Sequence, residues 1–167
     1  MNDGYEEILV KRGRTAGSTI MKAAIIGITA VLIAVGIFFF NPIFLAAGLA
    51  LALIAYYLIL PNFDLEFEYL YVGGDIDIDK IMAKRKRKRV ASFSKDNLEI
   101  MAPTGSSHLA PYLNDLKVRD YTSMDPDVRT WTLVYGSEKA KEAVCLELTE
   151  EIAKDMRRFA PRKVFFD

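Results

Sequence analysis

The chain has 167 residues, of which 51% are hydrophobic and 26% are charged, and its 22 basic and 22 acidic residues leave no net charge. This balance excludes the strongly basic surface typical of nucleic-acid-binding domains, and a single cysteine, Cys145, excludes an internal disulfide or a cysteine-based metal cluster. No charged residue lies between Ala23 and Leu60. The apolar and the polar parts of the chain therefore require separate treatment.

Two uncharged runs predict a pair of antiparallel membrane-spanning helices. Residues 23–40 and 42–60 number 18 and 19, and each would reach roughly 27–29 Å as a helix, close to the thickness of a bilayer core. The break falls at Asn41 and Pro42, because proline lacks a backbone donor and disfavours helical geometry at the residue before it. A link this short brings both ends of the hairpin to the same side.

The apolar region is less compatible with three alternative structures. A cleaved signal peptide would not be followed at once by a second apolar run, and one continuous helix would far exceed a bilayer and carry Pro42 at its middle. A buried soluble hairpin would need more protein than this chain offers to cover helices that are apolar all round.

Small residues at four-residue spacing favour close packing of helices in a membrane. The predicted helix-packing residues are Ala23, Gly27, Ala30, Ala34, Gly48 and Ala52.

The distribution of cations predicts the orientation. Basic residues flank the hairpin at Lys11, Arg12, Arg14 and Lys22 and again at 84–89, whereas the hairpin tip has none. Because Lys and Arg near span ends stay inside, both termini are predicted to be cytoplasmic. The expected organisation is a cytoplasmic segment over residues 1–22, a transmembrane hairpin over 23–60 and a cytoplasmic domain over 61–167 in the cytoplasmic membrane.

The polar part predicts short strands. Residues 64–71 and 75–79 alternate apolar and acidic side chains around Gly73 and Gly74, which is typical of a β-hairpin with its acidic residues facing solvent. Five further strands are predicted at residues 85–93, 98–101, 116–121, 130–135 and 143–148, with a short helix within 106–114.

The last element is predicted to be an amphipathic helix. Thr149 can cap its N-terminus, Ile152, Met156 and Phe159 share one face, and Pro161 ends the run. The expected fold class is α+β, with seven antiparallel strands after the transmembrane hairpin and a helix that packs against the sheet.

This order of elements resembles the pleckstrin-homology-like (PH-like) barrel of bacterial membrane-tethered proteins. The residues that carry the resemblance are Phe67, Glu68, Tyr69, Gly74, Ile76, Ile78, the segment 86–90 and Phe93. The whole chain also resembles an uncharacterised family of small two-span membrane proteins of clostridia-like bacteria, through residues 2–7, 77–82, 100–103 and 160–165. That likeness implies a bacterial membrane protein but no activity.

The strongest local signal is an uninterrupted basic run, which supports two interpretations. Its members are Lys84, Arg85, Lys86, Arg87, Lys88 and Arg89. They could contact anionic lipid headgroups, at about 1 kcal/mol per cation near the surface, or pair across the sheet with Asp75, Asp77 and Asp79, at about 0.2–1 kcal/mol per pair. The first hairpin turn has no cation, so stereospecific phosphoinositide recognition is not implied.

The chain has no recognisable catalytic or metal motif. His108 lacks a third group to orient it as a catalytic base, and Cys145 is expected to be a partly covered, unreactive thiol. We therefore expect no enzyme activity and no cofactor, but a membrane-anchored interaction module that binds a protein, a peptide or the anionic inner leaflet. The alternative is an accessory subunit of a membrane complex that packs through its hairpin; neither role specifies a partner or an oligomeric state.

Overall fold

The computed structural model describes residues 4–114, 116–136 and 140–167. The chain divides into two compact units, a helical unit of residues 14–65 with 82–86, and a sheet unit that comprises the rest.

The helical unit contains two apolar helices, α1 (Ala16–Phe38) and α2 (Pro42–Ile54). Thr15 caps α1, because its Oγ1 accepts a hydrogen bond from Ser18 N at 3.2 Å, and Asn41 Oδ1 accepts from Ile43 N at 3.0 Å to cap α2. Beyond α2 the chain continues as one π-helical turn (Ala55–Ile59) and a 3₁₀ turn (Leu60–Phe63).

Both helical segments, Ala16–Phe38 and Pro42–Phe63, are long and apolar enough to cross a membrane. Helix α1 begins seven residues before the expected position, because Thr15 caps it within the polar flank. The helix therefore includes Lys22.

The described strands form two four-stranded sheets. Their bounds in chain order are β1 (Tyr5–Lys11), β2 (Leu65–Val72), β3 (Asp75–Met82), β4 (Lys86–Phe93), β5 (Leu98–Pro103), β6 (Val118–Asp120), β7 (Trp131–Gly136) and β8 (Lys141–Leu146). The first sheet has the order β1-β2-β3-β4 and the second has the order β5-β7-β8-β6. All seven strands expected after the hairpin are present.

The prediction of one seven-stranded antiparallel barrel is wrong in three respects. The described strands form two four-stranded sheets rather than one barrel. An eighth strand, β1, precedes α1 and pairs antiparallel with β2, from Tyr5 opposite Val72 to Lys11 opposite Glu66. Its sequence did not suggest a strand because Glu6 and Leu9 interrupt the alternation of polar and apolar residues. In the second sheet β6 pairs with β8 in the parallel direction, since its connections let it join the edge without a hairpin.

Aromatic and aliphatic side chains fill the core of the sheet unit. Trp131, Tyr69, Ile76 and Ile78 are almost completely buried. Burial raises the pKa of the Tyr69 phenol, whose hydroxyl donates to Tyr121 O at 2.7 Å.

The C-terminal helix α4 (Glu150–Phe159) follows the predicted cap, since Thr149 Oγ1 accepts from Ile152 N at 3.2 Å. Its buried face consists of Ile152, Ala153 and Met156. Phe159 was expected on that face but is about half exposed, and its ring lies 4.5 Å from Lys95 Nζ. The short predicted helix appears as a 3₁₀ turn (Ser107–Leu109) and α3 (Ala110–Leu113).

The acidic residues of β2 also differ from expectation. Glu66 and Glu68 were predicted to face solvent, yet their exposed fractions are only 9% and 7%. Strand β2 lies between β1 and β3 in the sheet, and the Arg87 side chain lies against Glu68. A carboxylate so placed needs a cation or a hydrogen-bond donor nearby.

Candidate lipid-facing site

The basic run begins in a tight turn between β3 and β4. Arg85 N donates to Met82 O at 3.1 Å, and the two residues between them, Ala83 and Lys84, have positive φ angles of 48° and 56°. Positive φ at both central positions is the type I′ geometry that matches the twist of paired strands. Neither residue is glycine, so the turn stores roughly 1–2 kcal/mol of strain at each position.

The turn is fixed to the chain that follows the second helix. Ala83 N donates to Asp64 O at 2.8 Å, and Arg85 Nη1 donates to the Tyr56 hydroxyl at 3.3 Å. That hydrogen bond also raises the pKa of the Arg85 guanidinium. All four residues belong to the helical unit, so the start of the basic run lies beside the polar end of the second apolar segment.

The two arginines of β4 face the carboxylates of the sheet. Arg87 Nε lies 2.6 Å from Asp79 Oδ2 and its Nη2 pairs with Glu68, while Arg89 contacts Asp79 at 3.1 Å and Asp77 at 2.8 Å. Asp79 is only 8% exposed, so these contacts supply the counter-charge that its burial demands.

The remaining expected carboxylate, Asp75, is not paired with the basic run. Its Oδ1 accepts hydrogen bonds from Ser94 Oγ at 3.0 Å and Lys95 N at 2.9 Å. The acidic face of β3 is thus neutralised partly by two arginines and partly by neutral donors.

The three lysines of the run differ from its arginines in their contacts. Lys84, Lys86 and Lys88 are exposed, and none of their side chains has a hydrogen bond or an ion pair with residues 4–114, 116–136 or 140–167. The six cations that the sequence presents as one set therefore divide into two paired arginines, one arginine bonded to a tyrosine, and three lysines that face solvent.

A cavity of about 290 Å³ lies beside Arg85 in the helical unit. Its lining residues are Tyr56, Tyr57, Leu60, Pro61, Ala83, Arg85 and Lys86. The two tyrosine rings meet edge to face, with 4.9 Å between centroids and an interplanar angle of 88°.

Sequence reasoning missed the two tyrosines of this cavity. A signal was available, because consecutive tyrosines at the end of an apolar run are typical of the aromatic belt at a membrane interface. Their position opposite Arg85 could not be inferred, because it depends on a contact between residues 29 positions apart.

The predicted helix-packing residues are not all at the contact between α1 and α2. Gly48 is buried there, and a Cβ atom on it would lie 2.7 Å from Ile33 Cγ1. Gly36 was not among the predicted residues, but it also lies at this contact, since a Cβ on it would lie 2.5 Å from Leu45 N.

The other predicted packing residues lie outside this contact or at its margin. Within the described chain Ala52 of α2 is half-buried, and the four predicted residues of α1 are exposed, namely Ala23, Gly27, Ala30 and Ala34. A Cβ on Gly27 would meet nothing within 4 Å.

The polar candidates elsewhere do not form a catalytic arrangement in the described residues. His108 stacks on Phe165, with 4.1 Å between ring centroids, and its Nε2 lies 3.6 Å from Asp167. Cys145 is buried and its Sγ lies 3.3 Å from Thr104 Oγ1. Across this part of the chain, no group of three or more His, Cys, Asp or Glu residues could hold a metal ion.

Two four-stranded sheets and a C-terminal helix, with two apolar helices inserted between β1 and β2, define a PH-like protein with a helical insertion. The comparison with protein families identifies the same class. The chain belongs to the family described as "Bacterial PH-like domain (DUF6106)", whose sequence model matches residues 2–166. No curated protein and no solved structure matches the chain.

Proposed function

We propose that the protein is a non-enzymatic interaction module, anchored by two antiparallel spans in the cytoplasmic membrane of clostridia-like bacteria. Its PH-like domain lies on the cytoplasmic side, where the basic turn contacts the anionic inner leaflet. The domain could hold a protein or peptide there, but lipid is the partner that the charges favour.

The pairing of β1 with β2 supports this topology. These two strands flank the hairpin in the sequence, and they lie side by side in one sheet. Any bilayer that the hairpin crosses twice must therefore leave both strands on the same side. Basic residues on both flanks favour the cytoplasmic side.

The observation that carries the lipid proposal is the lack of partners for Lys84, Lys86 and Lys88 within the described chain. Cations kept only for the sheet would be expected to pair as Arg87 and Arg89 do. Near an anionic surface each lysine contributes about 1 kcal/mol. Three lysines could therefore orient a domain that is already tethered, although they would not retain a soluble one.

Lysine reactivity in nanodiscs would test the proposal with the full-length protein. In discs of phosphatidylglycerol, acetylation of Lys84, Lys86 and Lys88 should be slower than in discs of phosphatidylcholine, and added salt should remove the difference because exposed charges are screened. Lys117, which is exposed and outside the run, provides the internal control. Equal reactivity of the three lysines in both lipids would refute the lipid contact.

Topology needs a separate measurement. Reporter fusions at the two ends should both report a cytoplasmic location, and the protein should leave the membrane fraction only with detergent. Ends in opposite compartments would exclude the hairpin.

The alternative function is an accessory subunit of a membrane complex. The exposed small residues of α1 favour it, because such residues allow close approach of a further helix. A stoichiometric integral-membrane protein should then co-purify in mild detergent and be lost in Gly27→Leu but not in Ala47→Leu, which changes an exposed position of α2. Co-purification that both variants retain would count against this role.

A further inference from the structure

The cavity beside Arg85 combines an apolar wall with two cationic side chains. Leu60, Pro61 and Ala83 contribute carbon surface, while Arg85 and Lys86 contribute the charge. No carboxylate is among the described residues that line it. An open cavity with this lining attracts an anionic group that carries apolar surface.

Arg85 is positioned to hold a phosphate. A guanidinium has five N–H donors in a planar fork, and the Tyr56 hydroxyl accepts from only one of them, at Nη1. This bond restrains one end of the guanidinium, and its other donors stay available for two parallel bonds to a phosphate group. Lys86 has no partner among the described residues and adds a second positive charge at the same wall.

The end of the second apolar segment shapes the rest of the cavity. The π-helical turn at Ala55–Ile59 is wider than an α-helical turn, so consecutive side chains point in more similar directions, and Tyr56 and Tyr57 meet edge to face. Single π-helical turns of this kind are common at functional sites. Tyrosines have an apolar ring and a polar tip, which suits the level of the lipid headgroups.

We infer that this cavity binds the headgroup of a single anionic phospholipid. Arg85 and Lys86 hold the phosphate, and the two tyrosine rings with Leu60 and Pro61 contact the adjoining glycerol and upper acyl carbons. The inference rests on the proposed membrane anchoring, but it adds a stoichiometric site to a diffuse electrostatic contact.

The dimensions and the lining favour a lipid over a soluble phosphate compound. About 300 Å³ is the lower end of the range for ligand pockets, which suits a headgroup whose acyl chains remain outside. The lining is mainly carbon, and a free phosphate ion would leave that surface in contact with water. A lipid headgroup covers it with its own apolar atoms.

Native mass spectrometry can test the site on the full-length protein released from nanodiscs of equal phosphatidylglycerol and phosphatidylcholine. One phosphatidylglycerol should stay bound to the wild type. Arg85→Gln should lower its occupancy about tenfold or more, because a bidentate charge-assisted contact is lost. Lys88→Gln removes the same charge two residues beyond the cavity lining and should change occupancy by about twofold or less.

Arg85→Lys should retain an intermediate occupancy, since the charge remains without the fork geometry. The fluorescence of Trp131, the single tryptophan, reports whether each variant is folded.

Several results would overturn the inference. Equal losses in Arg85→Gln and Lys88→Gln would mean a diffuse contact, which leaves the proposed function intact. Equal retention of the two lipids by the wild type would exclude selection of an anionic headgroup. Binding of inorganic phosphate to detergent-purified protein, with no retained phospholipid, would assign the cavity to a soluble ligand. Failure of the proposed function itself would appear separately, as lysine reactivity that does not depend on the lipid.

Discussion

The basic strand β4 and the helix α1 each contain a set of similar residues that splits between two environments. In β4 the side chains of Arg87 and Arg89 contact carboxylates, whereas Lys86 and Lys88 have no such contact in the described chain. In α1 Gly36 is buried against α2, whereas Gly27 is exposed.

The reason for the split differs between the two regions. On the strand, the buried carboxylates Glu68 and Asp79 need a counter-charge, and only cations on one side of the pleat can reach them. On the helix, a glycine matters only where another backbone approaches within contact distance. The need for counter-charge therefore determines which cations of β4 are paired, and the distance to α2 determines which glycines of α1 are buried. Four sets of variants can test this comparison.

The largest effect is expected for Arg87→Gln combined with Arg89→Gln. Loss of these cations leaves Glu68 and Asp79 without their counter-ions, and we expect the free energy of unfolding to fall by about 2–4 kcal/mol. This is less than for a fully buried pair, because both arginines are about half exposed. Urea unfolding in detergent, followed by Trp131 fluorescence, measures the change.

The matched control for that pair is Lys86→Gln with Lys88→Gln, which removes the same charge from the opposite side of the strand. Its effect on unfolding should stay within about 0.5 kcal/mol. Similar losses in both double variants would contradict the division of β4 into two faces.

Gly36→Ala should weaken the contact between the helices by about 1–3 kcal/mol, because the new methyl group would lie 2.5 Å from Leu45 N. Gly27→Ala should be neutral or stabilise α1 by up to about 1 kcal/mol, since alanine is the better helix former. Hydrogen exchange in detergent, read across α1 and α2, measures both. Faster exchange in Gly27→Ala than in Gly36→Ala would assign the contact to the other face.

Ala83→Gly should stabilise the protein by about 0.5–1 kcal/mol, because glycine adopts the positive φ of this turn without strain but loses more entropy on folding. Ala91→Gly, in the regular part of β4, should instead destabilise it by a similar amount. Thermal unfolding followed by Trp131 fluorescence distinguishes them. A gain in both variants would show that the turn is not the strained element.

The smallest effect is expected for Lys84→Gln, which should change the free energy of unfolding in detergent by less than about 0.5 kcal/mol. Its side chain has no partner among the described residues, so nothing in the fold depends on its charge. A loss above about 1 kcal/mol would show that this lysine serves the fold rather than the lipid surface.

Local patterns in the sequence were enough to predict the apolar hairpin, the seven strands that follow it and the capped C-terminal helix. Charge exclusion over residues 23–60, alternation in β2 and the Thr149 cap are each properties of one contiguous segment. Such signals survive without knowledge of the remaining chain.

The tertiary structure decided the features that depend on distant partners. Strand β1 exists because it pairs with β2 across the intervening hairpin, and β6 joins the edge of a sheet built from other segments. The same holds for the cations, since Arg87 and Arg89 pair with Asp79, and Arg85 donates to Tyr56. A residue's own sequence neighbourhood sets its periodicity, but only the closed fold determines which groups come within hydrogen-bonding distance.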